Sequence, residues 1–357
     1  MGVRIDCAGL KRVLDETPAD QNVMLTGGHG IGKSRILEDY FTQRGHLVVI
    51  LFLGQMSDPG DLIGLPFKDD KTGKTDFMPP YWWPEDGKPI VLFLDELNRA
   101  RPEVLQTVMD LTLNRTLAGK KLPEGSRIIS AVNEGDEYQL TDLDPALVSR
   151  FNIYDFCPSV AEWLLWADAE KLDARVTSFI SQNSDMLDGD KLRREDQGLE
   201  KTPDRRAWER VSRIITGKEK LDGFQKTILA GVVGMPAASR FIEFCSEKQL
   251  LSAKDLLLFD FEKNKAKLSG YSVPDLAAVN ESVFRYLETA KIKDQDRKTA
   301  GKNLLAYFQF LKELKRREAL AHFANLYSDG KYKKAIAFII AESSPLIMEI
   351  AEFIESI

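Results

Sequence analysis

Between Gln21 and Phe156 the apolar residues come in short solid runs: NVML at 22–25, LVVILFL at 47–53, IVLFLDE from 90 and RIISAVN at 127–133. Glycine-rich turns or stretches of helical spacing separate them. Runs that are apolar at every position belong to strands covered on both faces. Strands alternating with helices pair in parallel through right-handed crossovers. An α/β layer with helices on both sides of a parallel sheet is therefore expected over residues 1–158.

After Cys157-Pro158 the strand pattern stops. Trp163, Trp166, Val176, Phe179 and Ile180 fall at helical intervals, and helical spacing resumes around Trp208, Val211, Ile214 and Ile215. The polar stretch Ser181–Lys201 reads as a loop or a solvated helix edge. From about Ser252 a third block places Leu304, Tyr307, Phe308, Leu311 and Leu314 on one face. A last helix follows, with Ser343 or Ser344 as its cap, Pro345 in its first turn and Ile347, Ile350 and Ile354 on one stripe. The expected division is an α/β core over 1–158, an all-helical part over 159–250 and a helical extension over 251–357.

Composition narrows the class. With 357 residues, 43% hydrophobic and 29% charged, the chain can bury large cores without staples. Its formal net charge of -6 argues against a surface built for nucleic acid. Cys7, Cys157 and Cys245 lie far apart with no CxxC pair, and three histidines add little, so neither a disulfide framework nor a zinc site is expected. No apolar stretch approaches a membrane span, and the amino-terminal residues do not resemble a signal peptide. The expectation is a reduced, cytoplasmic protein with no membrane contact.

The chemistry is concentrated in GGHGIGKS, Gly27 to Ser34, which fits G-x-x-x-x-G-K-[ST] directly after a strand run and before a helical one. Its glycines let successive N–H groups of Gly28, His29, Gly30, Ile31, Gly32, Lys33, Ser34 and Arg35 converge on phosphate oxygens at a helix amino terminus. Lys33 is expected to bridge the β and γ phosphates and Ser34 to hold Mg²⁺. The run IVLFLDELNRA ends in Asp95 and Glu96. Two acids there can cap the next helix. Beside a phosphate loop, Asp95 is instead expected to orient the Mg²⁺ shell and Glu96 to polarise a water for in-line attack.

GGHGIGKS, LFLDELNRA, AVN at 131–133 and DPALVSRF at 144–151 together resemble the MoxR branch of the AAA+ ATPases, in order, over about residues 4–245. The resemblance implies a doubly wound P-loop AAA+ core, a helical lid, ATP with Mg²⁺, and a ring of copies, commonly a hexamer. It matches Asn133 to the polar sensor of the γ phosphate, although strand-end turn chemistry also suits an Asn. It matches Arg150 to the arginine finger given to a neighbouring subunit, although a helix-end cation is the plainer reading. In TPDRRAWERV it matches Arg206, with Arg205 close behind, to the lid sensor. Residues 60–90, with a hairpin at KTGKT, and a second hairpin at 114–127 correspond to its two inserts, which face a pore or a partner. Phe77, Tyr81, Trp82 and Trp83 then form either a contact surface or a small core under a long loop.

After Asn133 the chain reads EGDEYQLTD, where NEGD is similar to a segment of McrB-type GTPases. Residues from about Leu250 onward lie outside the resemblance. Lys263, Lys265, Lys267, Lys291, Lys293, Arg297 and Lys298 could make a basic surface, but the acids interspersed among them favour a solvated face. The expected function is Mg²⁺-dependent ATP hydrolysis coupled to remodelling of a protein partner, which the resemblance implies is a von Willebrand factor A domain protein. The alternative is a McrB-like, GTP-driven motor acting with a nuclease on DNA.

Overall fold

The computed structural model describes residues 2–84, 86–133, 143–189, 201–246 and 250–356. The chain divides into two compact units, residues 1–159 and 160–357. In the first, the strands are β1 (Val3–Ile5), β2 (Asn22–Gly27), β3 (Leu47–Phe52), β4 (Leu65–Lys68), β5 (Thr75–Met78), β6 (Ile90–Asp95), β7 (Thr116–Leu117), β8 (Lys120–Lys121), β9 (Arg127–Asn133) and β10 (Phe151–Phe156). Its helices are α1 (Cys7–Glu16), α2 (Lys33–Thr42), α3 (Gly60–Ile63), α4 (Pro102–Asn114) and α5 (Pro145–Val148). Six strands form one parallel sheet in the order β1-β10-β2-β9-β6-β3.

The solid apolar runs are explained by two cores. Val23, Leu25, Val91, Phe93, Ile129 and Ala131 pack with Leu10, Leu37 and Phe41 of α1 and α2 on one face. The alternate residues Met24, Ile90, Leu92, Leu94 and Ile128 pack with Val104, Val108 and Leu111 of α4 on the other. Because side chains alternate along a strand, a strand between two helical layers must be apolar throughout. The pattern gave no warning of β1, whose Val3 is exposed at the sheet edge, or of β10, whose middle residues are only partly covered. The acid-ended strand β6 is also not beside β2, because β9 lies between them.

Both hairpins form. β4 and β5 pair antiparallel around the KTGKT turn, and β7 and β8 close over Ala118 and Gly119, both at positive φ as a two-residue hairpin requires. The Lys120 ammonium donates to the Phe77 carbonyl at 2.7 Å, which ties one insert to the other. The aromatic cluster divides between its two readings: Trp82 is buried in the α4-side core and Trp83 packs against it, whereas Tyr81 is 90% exposed.

Among the described residues, every regular element of the second unit is helical: α6 (Val160–Ala169), α7 (Ala174–Gln182), α8 (Arg205–Ile215), α9 (Gly223–Val233), α10 (Met235–Ser246), α11 (Ala253–Leu258), α12 (Phe261–Ser269), α13 (Val273–Thr289), α14 (Asp294–Glu313), α15 (Arg317–Ser328), α16 (Lys333–Glu342) and α17 (Ser344–Glu355). One core gathers Trp163, Val176, Phe179, Trp208 and Phe241. A second gathers Phe284, Leu304, Tyr307, Phe308 and Phe323. Buried Arg285 on α13 joins them, donating from Nε to Asp168 at 2.9 Å and from Nη1 to Ser181 at 3.1 Å. Of the polar stretch after Ser181, Met186 and Leu187 are buried, while 190–200 lies outside the described residues.

The last helix departs from its expected details. Ser343 occupies the cap position, yet its hydroxyl donates to the Gly301 carbonyl of α14 instead of capping. Its buried stripe is Leu346, Ile350 and Phe353, whereas Ile354 is 48% exposed.

Gly301 lets α14 approach the end of α16 so closely that a Cβ there would lie 2.3 Å from the Glu342 carbonyl oxygen. A Cβ on Gly231, within α9, would meet nothing within 4 Å. The same substitution should therefore have opposite signs. Gly231→Ala should gain about 1 kcal/mol of helix propensity, and Gly301→Ala should lose about 1–3 kcal/mol to overpacking, read as a higher and a lower urea midpoint.

Candidate functional site

The sheet carries its polar groups at its carboxyl edge. β2 ends in Gly27, which is paired in register with Asn133 at the end of β9. Gly27 needs to be glycine: its φ is +145° and a Cβ would lie 2.8 Å from the Phe156 carbonyl oxygen. The loop then turns through Gly32, at φ 97°, into the first turn of α2. A glycine-rich turn that opens directly into a helix is an arrangement suited to phosphate, which loop N–H groups and the helix dipole can both meet. Ile31 packs against the apolar core on the α1–α2 side, His29 is exposed, and Arg35 pairs with Asp39 at 3.0 Å on the outer side of α2.

Lys33 is buried, and its ammonium donates to the carbonyls of Gly27 and Gly28, each at 2.9 Å, and to Asn133 Oδ1 at 2.8 Å. The loop's cation is thus centred between the strand that precedes it and the strand beside it. Ser34 Oγ donates to Asp95 Oδ2 at 2.8 Å, and Asp95 Oδ1 accepts the Glu96 N–H at 2.9 Å. A hydroxyl and a carboxylate brought together in this way are hard oxygen donors of the kind that, with phosphate oxygens, suit Mg²⁺. Glu96 stands in the left-handed region at φ 56°, ψ 40°, an uncommon conformation for a side-chain-bearing residue. Its carboxylate accepts from Arg99 Nη1 at 3.0 Å. With Lys33 and Arg99 set against Asp95 and Glu96, the cluster holds two formal charges of each sign, Arg99 paired directly with Glu96.

Residues 22–151 match the family model described as AAA domain (dynein-related subfamily). The α/β unit thus carries an AAA domain match over most of its length. The chain is also 30% identical over 165 residues to the Thauera aromatica protein named "Putative chaperone BssE", a match covering 43% of this chain and 56% of that one. It therefore spans little more than half the length of this curated relative. Among solved structures, NtrX of Brucella abortus in complex with ADP is similar over 86% of this chain and 68% of its own, with 14% identity and a TM-score of 0.39. The RuvB Holliday junction branch migration motor of Thermotoga maritima is similar over 69% of this chain and 67% of its own, with 14% identity and a TM-score of 0.36.

Lys33, Ser34, Asp95, Glu96 and Asn133 meet at the carboxyl end of the parallel sheet, and Arg150 does not. It immediately precedes β10, and its neighbour Phe151 is in register with Asn22 at the start of β2. Arg150 stands at the amino edge, roughly 17 Å of strand from the phosphate loop. Within the helical unit, Arg205 is buried and holds Asp188 through Nε at 3.0 Å and Nη2 at 2.9 Å. Arg206 is exposed in the first turn of α8. The NEGD segment beyond Asn133 lies outside the described residues.

Three participants escaped the sequence reading. Asn98, buried, donates from Nδ2 to the Asn133 carbonyl at 3.0 Å, so Asn133 is held from both sides. Arg99 pairs with Glu96 as above. Gly54, just after β3, leaves room for both: a Cβ there would lie 3.1 Å from Arg99 Cβ and 3.2 Å from Glu96 Oε2. Asn98 and Arg99 stand in LFLDELNRA, but spacing does not disclose that Asn98 reaches a strand 35 positions away. Asn98→Ala should lower ATP turnover about tenfold through loss of Asn133 alignment, with ATP affinity changed less than about threefold; steady-state kinetics and equilibrium binding check the two halves.

Proposed function

We propose that the chain is a Mg²⁺-dependent ATPase of the MoxR type whose copies assemble into a ring, commonly a hexamer, and remodel a protein client such as a von Willebrand factor A domain protein. The observation that carries this reading is the split of the polar residues between the two edges of one sheet. The residues of the α/β unit proposed to hold a triphosphate and a water are at the carboxyl edge, and the arginine that would neutralise the transition state is at the other. Arg150 cannot serve the nucleotide on its own loop, so it serves a neighbour's.

The loop N–H groups and Lys33 bind the phosphates, with the ammonium passing from the Gly27, Gly28 and Asn133 oxygens to phosphate oxygens. Ser34 and Asp95 would hold Mg²⁺, which when bound neutralises phosphate charge. Glu96 orients and polarises the attacking water, and Asn133 fixes its line of approach. Of the two lid-sensor candidates, Arg206 is exposed, whereas the Arg205 guanidinium is committed to Asp188, which favours Arg206 for that role. A protein client agrees with the chaperone name of the relative in Thauera aromatica, and with an insert hairpin that exposes Leu65, Phe67 and Met78.

Three experiments test this. Phosphate release with ATP and with GTP, over a wide range of protein concentration, should be ATP-specific and should rise per subunit with concentration. GTP-specific turnover favours the McrB-like motor, and concentration-independent turnover by monomers refutes shared sites. Second, Glu96→Gln should retain ATP while losing about 100-fold or more in turnover. Lys33→Ala, which keeps Arg150, mixed with Arg150→Ala, which keeps an intact phosphate loop, should recover activity that neither has alone.

A further inference from the structure

Asn22 opens β2, a position where a buried strand favours an apolar or β-branched residue. Its side chain is buried, and the single amide nitrogen donates to two carbonyls from different elements: Thr112 near the end of α4, at 3.0 Å, and Arg150, at 3.1 Å. Its Oδ1 has no hydrogen-bond partner among the described residues. A buried acceptor left unpaired is costly, so the residue's stabilising contribution lies in what Nδ2 holds.

Leu147 anchors the turn before Arg150 in the α4-side core, but among the described residues few bonds hold Arg150 itself. The β2–β10 ladder begins one residue later, at Phe151. α5, just before Arg150, is a single four-residue turn, too short to be rigid alone. The Arg150 N–H donates to Leu147 and its guanidinium to Ala146, both within that turn. Beside the apolar anchor Leu147, Asn22 thus supplies a hydrogen bond from the end of this turn to the body of the sheet. It also joins Arg150 to α4, which starts at Pro102, three residues after Arg99, the partner of Glu96. The 13 residues of α4 span about 19 Å from the phosphate edge toward Arg150.

We propose that Asn22 is the positioning residue for Arg150, tying the backbone of the trans-acting arginine to the end of α4 so that its guanidinium is presented to the neighbouring nucleotide in a set orientation. This rests on the reading of Arg150 given above. The test is a double-mutant cycle on the full chain, with kcat and KM for ATP measured at saturating protein. Arg150→Ala should lower kcat at least about 100-fold, and Asn22→Ala about tenfold with KM within about twofold. In the Arg150→Ala background, Asn22→Ala should then have no further effect.

Asn22→Thr, which keeps a donor and strand preference, should recover part of kcat and stands in if the alanine variant does not fold. A loss from Asn22 substitution that multiplies with that of Arg150→Ala overturns the proposal, because Asn22 then acts elsewhere. A raised KM at unchanged kcat does the same, assigning Asn22 to the phosphate-loop strand. Unchanged kcat in Arg150→Ala overturns the reading of Arg150 itself, and the role of Asn22 falls with it.

Discussion

The Lys33 ammonium is the point on which the nucleotide unit is organised. It spends its hydrogen bonds on Gly27, Gly28 and Asn133, and a buried ammonium is tolerable only when so satisfied. That requirement ties together the end of β2, the loop that follows it and the end of β9. Asn133 is in turn held by Asn98, just beyond β6, and β6 ends in the acid that Ser34 meets. A displacement at any of these strand ends is felt at the lysine.

The strand order makes this possible. With β9 between β2 and β6, the phosphate loop and the acidic strand end are separated by one strand, and the polar tip of that strand lies between them. Deeper in the sheet, Ser130 Oγ donates to the Leu94 carbonyl at 3.1 Å, stitching β9 to β6 below the site. Parallel pairing sends all three carboxyl ends the same way. The same rule sends Arg150, which precedes its strand, to the opposite edge. Separation of the two groups is thus a direct result of strand direction, and it is this separation that the proposed trans role of Arg150 rests on.

The inserts and the helical unit show the same economy of contact. Trp82 and Leu62 anchor the first insert in the core beside α4, which frees the β4–β5 hairpin to present apolar residues to solvent. In the helical unit, the Arg285 guanidinium is held by Asp168 and Ser181. Removing one partner of such a buried pair strands the other charge.

The amino-acid sequence alone determined what depends on neighbours along the chain. The phosphate loop, the four solid strand runs, the acid pair, both hairpins and the change to helix after Pro158 are local patterns, set by backbone freedom at glycine, by burial on two faces and by helical periodicity. It could not reveal β1 and β10, whose exposure removes the apolar signature, or the cap of α17, because Ser343 spends its hydroxyl on another helix. The tertiary structure decided that β9 stands between the two chemical strands, that Trp82 is core and Tyr81 surface, and that Arg205 is occupied while Arg206 is exposed. It also brought in Asn22, Gly54, Asn98 and Arg99, whose partners lie on other elements or whose contacts depend on how the chain turns. These choices rest on which residues meet across elements, and a hydrogen bond or a steric limit between distant positions leaves no periodic mark on the chain.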